Sequence, residues 1–214
     1  MQMKRPAYLC LLGSALFLSA CVSSAPEVQR SANTAGAGNL SGSVISTSNG
    51  PETPPVKARN EKHMSIYLTG YSYWDNTPPG SAAIAKPVLR NKAGGTGTYD
   101  DPITIAVGHM IVGDQQFLDF PAGTRFYLSE LRKYAIVEDV CGDGASPQNG
   151  PCHTGHNGLP WLDIYVDGAR SKQSDAATCM SRITRVQPII QNPAPDYPTV
   201  AGSLTESGCQ VFRG

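Results

Sequence analysis

Short apolar runs separated by turn residues make up most of the chain after residue 63. Alternating or continuous apolar character over four to eight residues is typical of strands. The segments with this character are Ser65–Thr69, Ile103–Val107, Thr124–Leu128, Tyr134–Val140, Leu162–Val166 and Arg182–Ile189. One helical turn is predicted at Ser129–Lys133, where Ser129 can cap the first turn. Six short strands predict a mostly β domain with one core, folded as a small barrel or a sandwich.

The composition agrees with a turn-rich β protein, and the charge balance bears on whether the protein binds nucleic acid. Among 214 residues there are 22 glycines and 17 prolines, and only 7% of the chain is aromatic. Lysine and arginine together number 17, as do aspartate and glutamate, so the formal net charge is +0. Proteins that bind nucleic acid generally carry a basic excess. We therefore expect no nucleic-acid partner.

The N-terminus has the pattern of an export signal. Lys4 and Arg5 precede an apolar stretch, Ala7–Phe17, that is too short to span a bilayer permanently. Leu18–Cys21 has the form of a bacterial lipobox, which predicts a lipoprotein signal peptide over residues 1–20 and a lipid on Cys21. Val22 follows the cysteine, which favours the outer membrane of a Gram-negative cell. An ordinary secretory signal cleaved nearby is the alternative.

A stretch poor in apolar residues follows the lipobox. From Val22 to Asn60 the chain is dominated by Ser, Ala, Gly, Pro, Asn and Thr, and it contains no aromatic residue. Such a stretch cannot bury enough surface to offset its chain entropy. We therefore predict a flexible tether over residues 21–62 and a folded domain over residues 63–214.

Four cysteines lie inside the predicted domain: Cys141, Cys152, Cys179 and Cys209. An even number in an exported domain predicts two disulfides, with three possible connectivities. We favour Cys141–Cys152 with Cys179–Cys209, because shorter loops close more easily. A zinc site that adds His153 and His156 to the first pair is the alternative, but its spacing matches no zinc pattern. We expect no metal and no cofactor, and we expect both histidines to be solvated in their loop.

Two acidic motifs carry the candidate chemistry. The first contains Tyr71, Tyr73, Trp74 and Asp75, and the second is Trp161–Tyr165. In the second, strand alternation places Leu162, Ile164 and Val166 on one face and Trp161, Asp163 and Tyr165 on the other. An acid flanked by aromatic rings suits a carbohydrate groove, since rings stack on sugars and a carboxyl can protonate a glycosidic oxygen. The alternative is a strand aspartate that hydrogen-bonds a neighbouring loop.

Three short motifs resemble one superfamily in their order and spacing. Pro121–Tyr127, Asp139 with Gly142, and Asp163–Tyr165 follow the pattern of the 3D domain of membrane-bound lytic transglycosylase A. That domain belongs to the double-psi β-barrel superfamily, together with expansins, rare lipoprotein A and family-45 glycoside hydrolases. The resemblance covers roughly residues 64–190 and implies a single six-stranded double-psi β-barrel with long loops.

The resemblance also implies roles for three acids. Asp163 matches the superfamily's catalytic or contact acid, and Asp139 matches the second aspartate of the 3D pattern, which acts in support or in chemistry. Tyr73–Asp75 resembles a family-45 motif whose aspartate is the general base. The sequence departs from the pattern at Leu162, which replaces His or Phe, and at Asn76–Thr77, which replace a cysteine pair. The segment between Asp139 and Asp163 is also longer than in the 3D domain.

The aromatic residues near these acids are candidate substrate contacts: Tyr71, Tyr73, Trp74, Trp161 and Tyr165. Tyr71 occupies the place of a superfamily tyrosine near the acid, which implies contact with the substrate or with the carboxyl. His109 ends the run Ala106–His109 and either faces the groove or lies in a loop.

Three functions follow from the resemblance and from the expected export. In the first, the domain is a peptidoglycan lytic transglycosylase in which Asp163 is the general acid and the glycan's own hydroxyl displaces the leaving group. In the second, Asp75 and Asp163 are the base and acid of an inverting glycoside hydrolase. In the third, the domain is an expansin-like module that binds and loosens glycan. The expected partners are a cell-wall glycan and, through the lipid, a membrane, and the expected state is a monomer.

Overall fold

A computed structural model of the chain describes residues 60–213. Its eight strands are β1 (Lys62–Tyr71), β2 (Ile103–Val107), β3 (His109–Val112), β4 (Gln115–Leu118), β5 (Arg125–Leu128), β6 (Lys133–Val140), β7 (Trp161–Tyr165) and β8 (Arg185–Gln191). Two α-helices, α1 (Pro151–Thr154) and α2 (Gln173–Ile183), and a 3₁₀ turn at Pro147–Asn149 complete the elements. The export signal, Cys21 and most of the tether lie outside the described residues, whereas Lys62 already belongs to β1.

Six of the strands form a closed barrel in the order β1-β7-β2-β6-β5-β8. The pairs β1–β7 and β2–β6 are parallel, and the remaining four pairs are antiparallel. The mostly β prediction is confirmed, and each of the six predicted strands corresponds to one barrel strand. Strands β3 and β4 form a separate hairpin. Gly113 and Asp114 form its two-residue turn, a hairpin signal that the sequence contained.

Alternation along β1 and β7 fills the barrel interior. Ile66, Leu68, Leu162 and Ile164 are 0% exposed, whereas the alternate positions lie on the outer face. The predicted division of β7 is therefore confirmed, with one difference. Tyr165 is on the outer face and yet only 2% exposed, because its ring packs with Tyr71 in the cluster of buried hydrophobic residues.

Two sequence predictions about local structure are wrong. The strand predicted at Arg182–Ile189 begins only at Arg185, because α2 extends through Ile183. The apolar positions Ala176, Cys179 and Ile183 on α2 are buried against the core. The helical turn predicted at Ser129–Lys133 is a tight turn between β5 and β6, and Lys133 is already paired with Leu128 in the β5–β6 ladder.

The preferred disulfide pattern is confirmed. Cys141 is bonded to Cys152 and Cys179 to Cys209, with Cα–Cα distances of 5.7 and 5.4 Å. The first bond ties α1 to the end of β6, and the second ties α2 to the C-terminal segment. Cys141 and Cys152 therefore have no free thiolates for the zinc alternative. Over residues 60–213, no helix has the length and apolar character that crossing a membrane requires.

The long segment between β1 and β2, residues 72–102, is attached to the barrel through β6. Glu138 is fully buried, and its Oε1 accepts hydrogen bonds from the backbone of Leu89 at 2.6 Å and of Arg90 at 3.2 Å. Its Oε2 accepts a bond from Thr104 Oγ1 at 3.0 Å. One residue further on, Asp139 accepts the Ala85 backbone N–H at 3.0 Å. We call residues 72–102 the strap, and it forms one wall of the groove described below.

Candidate functional site

A groove of about 340 Å³ lies between the strap, the ends of β1 and β6, and the middle of β7. Four carboxyl groups line it, those of Asp75, Asp139, Asp143 and Asp163, together with Tyr71. No lysine or arginine of the described chain is among its lining residues. The fold thus brings together the three acids singled out by the sequence, although they come from distant parts of the chain.

Asp163 lies on the outer face of β7, with Thr69 of β1 on one side and Ala106 of β2 on the other. Thr69 Oγ1 donates a hydrogen bond of 2.7 Å to Asp163 Oδ1. The pKa of Asp163 is raised to about 7: burial raises it most, the charges of Asp75 and Asp139 also raise it, and the Thr69 bond lowers it. A carboxyl with this pKa is substantially protonated near neutral pH, which is the property that a general acid requires.

Asp139 is a fully bonded carboxylate at the inner end of the groove, and it is 7% exposed. Its Oδ2 accepts the Tyr71 hydroxyl at 2.9 Å, and its Oδ1 accepts the backbone N–H groups of Ala85 at 3.0 Å and Val140 at 2.9 Å. Burial raises the pKa of Asp139, while these three bonds lower it. Because three donors already hold Asp139, it supports the site more readily than it exchanges protons with a ligand.

Asp75 is exposed on the turn that follows β1. Its Oδ1 accepts hydrogen bonds from the backbone N–H of Ser72 at 2.7 Å and from Ser72 Oγ at 2.5 Å. The next residue, Asn76, is only 8% exposed, and its amide donates to the carbonyls of Ser81 and Ala83. Asn76 therefore stabilises the loop at the position where the resemblance placed a cysteine, a role that the sequence analysis missed.

Trp161 lies beside the groove, two residues before Asp163 on the same face of β7. Its indole Nε1 donates a hydrogen bond of 2.7 Å to Thr69 Oγ1. Its ring meets Tyr67 edge-on at 4.7 Å, and the Tyr67 ring stacks on His156 at 4.0 Å. The prediction that His156 is a solvated loop residue is therefore wrong, because it is half-buried in this aromatic cluster.

Besides Trp161, four other predicted contact residues lie outside the groove lining. Trp74 donates its indole N–H to the Gly168 carbonyl at 2.9 Å and packs against the core, with Tyr73 edge-on to it at 5.5 Å. Tyr165 is buried against Tyr71, with ring centroids 5.3 Å apart. His109 is neither in a loop nor in the groove: it begins β3, is 3% exposed, and burial lowers its pKa.

A second small pocket, of about 290 Å³, lies near α1. Within it His153 Nδ1 and Asp119 Oδ1 are 2.6 Å apart, so His153 is paired rather than simply solvated as predicted. The α1 loop approaches the barrel at Gly108, where a Cβ atom would lie 2.2 Å from the Cys152 carbonyl oxygen. Glycine is therefore required there. Among residues 60–213, no group of three or more His, Cys, Asp or Glu side chains is arranged to hold a metal ion.

Comparison with known proteins places this domain in a family. Residues 63–210 match the family described as the DDB_G0273701 N-terminal domain. The chain belongs to this family. The matched range of the DDB_G0273701 N-terminal domain runs from the second residue of β1 to beyond β8, so it contains the barrel except for Lys62, the groove acids and both disulfides.

One relative of the DDB_G0273701 N-terminal domain family comes from Dictyostelium discoideum and is named Uncharacterized protein DDB_G0273701/DDB_G0273221. It is 38% identical over 129 residues, which are 60% of this chain and 50% of the relative. The chain thus spans about half the length of that protein. No solved structure matches the chain.

Proposed function

We propose that this protein is a glycan-cleaving enzyme that acts on cell-wall peptidoglycan as a lytic transglycosylase, with Asp163 as its general acid. The observation that carries the proposal is the state of Asp163. It opens into a groove, is held at Oδ1 by Thr69, and has a pKa raised to about 7. A carboxyl in that state can protonate a leaving glycosidic oxygen at neutral pH.

We further propose that the barrel has double-psi topology. The support is its closed ring of six strands, in which the two parallel pairs, β1–β7 and β2–β6, are joined by the antiparallel pair β7–β2. The order and spacing of the motifs around Pro121, Asp139 and Asp163 support the same assignment.

The proposed reaction needs one proton-transferring carboxyl. Asp163 gives its proton to the glycosidic oxygen as the bond from that oxygen to the anomeric carbon breaks. A hydroxyl of the same sugar then attacks the anomeric carbon and closes an anhydro ring, and its proton returns to the Asp163 carboxylate. Positive charge develops on the sugar during bond cleavage, and the Asp139 carboxylate next to the groove stabilises that charge.

A second candidate, an inverting hydrolase, is favoured by the position of Asp75. It is exposed, lines the same groove, and its charge contributes to the raised pKa of Asp163. In this reaction Asp75 would activate a water molecule, which requires carboxyls roughly 6.5–9.5 Å apart. Only the hydrolase requires Asp75 as a base. The hydrolase also gives products with reducing ends, whereas the transglycosylase gives anhydro-ended products.

The place of action is also part of the proposal. A lipid on Cys21 and a tether over residues 21–62 would hold the domain at the outer membrane, within reach of the peptidoglycan. This part rests on the lipobox pattern of Leu18–Cys21 alone.

The test is incubation of the purified protein with peptidoglycan and, in parallel, with cellulose, followed by mass spectrometry of the released sugars. Anhydro-ended fragments from peptidoglycan support the transglycosylase, and reducing-end products support the hydrolase. Binding to either polymer without release would overturn both and leave an expansin-like binding module. The Asp163→Asn variant is the control, and it should release none of the sugar fragments that the wild type releases.

A further inference from the structure

Three side chains on the outer face of β1 and β7 form a continuous hydrogen-bond chain. The parallel register pairs Tyr67 with Trp161 and Thr69 with Asp163, so all four side chains project to the same side. Trp161 Nε1 donates to Thr69 Oγ1 at 2.7 Å, and Thr69 Oγ1 donates to Asp163 Oδ1 at 2.7 Å. The groove itself is lined by Asp163 but not by Trp161.

The chemistry of the three groups fixes the direction of this chain. An indole N–H can only donate, and a threonine hydroxyl has a single proton. Because Thr69 Oγ1 accepts the hydrogen bond from the Trp161 N–H, the proton of the Thr69 hydroxyl is directed at Asp163 Oδ1. A proton on Oδ1 would face the Thr69 proton, so the acid proton of Asp163 belongs on Oδ2.

We propose that Trp161 is a positioning residue that acts through Thr69 to keep the acid proton of Asp163 on Oδ2. This inference rests on the proposed function for its catalytic meaning. The atom near Oδ2 is Cys141 Sγ, at 4.0 Å, and Cys141 lines the groove. That sulfur is in a disulfide and has no proton to donate. The Oδ2 proton of Asp163 is therefore the one that a ligand oxygen can accept at this position.

The orientation of the indole is itself held from outside the groove. Trp161 is edge-on to Tyr67, and Tyr67 is stacked on His156. The His156 backbone exchanges hydrogen bonds of 2.9 Å with Leu159 in both directions, which closes the loop just before β7. Ring packing therefore orients the indole N–H of Trp161. The N–H in turn orients the Thr69 hydroxyl proton, and that proton determines which oxygen of Asp163 carries the acid proton.

The direct test is a pH titration by NMR of the Asp163 carboxyl carbon and of the indole N–H of each tryptophan. The chain has 2 tryptophans, so Trp74→Phe assigns both indole signals. We expect the Trp161 signal to titrate with the midpoint of Asp163 and the Trp74 signal to stay constant, since Trp74 donates to the Gly168 carbonyl. The Trp161 titration must disappear in Asp163→Asn and in Thr69→Val, and it must persist in Thr69→Ser.

Substitution of Trp161 gives the functional readout. Trp161→Phe keeps a ring but removes the N–H, so the Thr69 hydroxyl is freed and its bond to Asp163 weakens. Since that bond lowers the Asp163 pKa, the carboxyl titration and the basic limb of kcat should both move to higher pH. At a pH low enough for Asp163 to be protonated in both proteins, we expect kcat to fall about 3- to 10-fold with KM within about twofold, because the acid proton is no longer confined to Oδ2. Thr69→Val should act in the same direction, and Trp161→Phe should add little to it.

The outcomes separate the two proposals. If the wild type releases no sugar but the Trp161 and Asp163 titrations are linked, the proton placement holds and the proposed function is wrong. If the Trp161 indole does not follow Asp163, or if Trp161→Phe leaves the carboxyl titration unchanged, the positioning role is wrong whatever the activity. Trp74→Phe is the matched control, because it removes an indole N–H outside the hydrogen-bond chain and should leave the Asp163 titration unchanged.

Discussion

The Tyr71 hydroxyl donates a hydrogen bond of 2.9 Å to Asp139 Oδ2, and this bond joins two strands, β1 and β6, that are not neighbours in the barrel. Strands β7 and β2 lie between them in the strand order. Burial and the Asp139 charge raise the pKa of Tyr71 well above its ordinary value, so the hydroxyl remains a donor throughout the physiological range. The hydrogen bond between Tyr71 and Asp139 therefore persists across this pH range, and it links β1 to β6 at the groove.

Tyr71→Phe should destabilise the domain by about 1.5–3 kcal/mol, the usual range for a hydrogen bond to a charged group. The pKa of Asp139 should rise further, because one of the bonds that lower it is lost. Urea unfolding monitored by circular dichroism measures the stability. Tyr73→Phe is the control, since Tyr73 lies outside the groove lining. Equal losses in the two variants would show that the Tyr71 hydroxyl contributes nothing specific.

Asp163→Asn should abolish cleavage while the fold stays intact, whereas Asp75→Asn should keep measurable activity on peptidoglycan. The expected loss for Asp163→Asn is at least about 100-fold, the lower range for a general acid. Asp139→Asn should fall between them and should also lower stability, because an amide cannot accept all three of its bonds. The measurement is the initial rate of fragment release from peptidoglycan. Full activity in a folded Asp163→Asn variant would show that the assignment of the site is wrong. Loss of all cleavage in Asp75→Asn would favour the inverting hydrolase.

Asp163→Asn should also change the pH dependence of stability. The folded-state pKa of about 7 is above the ordinary value of 3.8, so the folded protein favours the protonated acid. The wild type is therefore penalised as pH rises from about 4 to about 7, and the variant is not. At pH 8 the variant should be more stable by on the order of 4 kcal/mol, and at pH 4 the two should be nearly equal. A difference in unfolding free energy that is constant with pH would contradict the raised pKa.

The two disulfides should differ in what their loss affects. The Cys179–Cys209 bond closes the longer loop, with a sequence separation of 30 against 11, so its removal should cost about 3.5 kcal/mol against about 3 kcal/mol. Only removal of Cys141–Cys152 should also reduce cleavage, because Cys141 lines the groove. Paired Cys→Ser variants, tested by urea unfolding and by fragment release, measure both effects. Loss of activity in the Cys179–Cys209 variant while it remains folded would contradict this division.

Cys21→Ser should move the protein from the membrane fraction to the soluble fraction and leave cleavage by the folded domain unchanged. The expectation follows from the lipobox pattern, since stable anchoring depends on the acyl chains that this cysteine would carry. Fractionation of cells followed by immunoblotting is the measurement. Continued partition of the variant with membranes would show that the lipobox interpretation is wrong.

The strands were predictable where the sequence pattern is local. Ile103–Val107 was predicted to the residue, since all five of its side chains are buried and turn residues flank it. Helix α2 was missed because only Ala176, Cys179 and Ile183 mark its buried face among polar neighbours. Their spacing of three and four residues was the available signal, and it was too sparse to outweigh the apolar run that continues into β8.

The site was predictable in its acids but not in its supporting contacts. Alternation along β7 was enough to place Asp163 on the outer face. Thr69 is 94 residues away and meets Asp163 only through the parallel β1–β7 register, which no local pattern shows. Trp74 and Tyr165 were assigned to the groove because aromatic residues near an acid suit sugar binding, but the structure uses both to cover the core.

The strap is held to β6 through the backbone N–H groups of Ala85, Leu89 and Arg90, and one side chain adds to them, since Arg90 Nη1 lies 3.5 Å from Glu138 Oε2. Every residue except proline supplies the same N–H at those positions. The exposed side chains of Val88 and Leu89 are therefore not needed for this attachment. Protein engineers can accordingly diversify Val88 and Leu89 in libraries while the barrel and its acids stay in place.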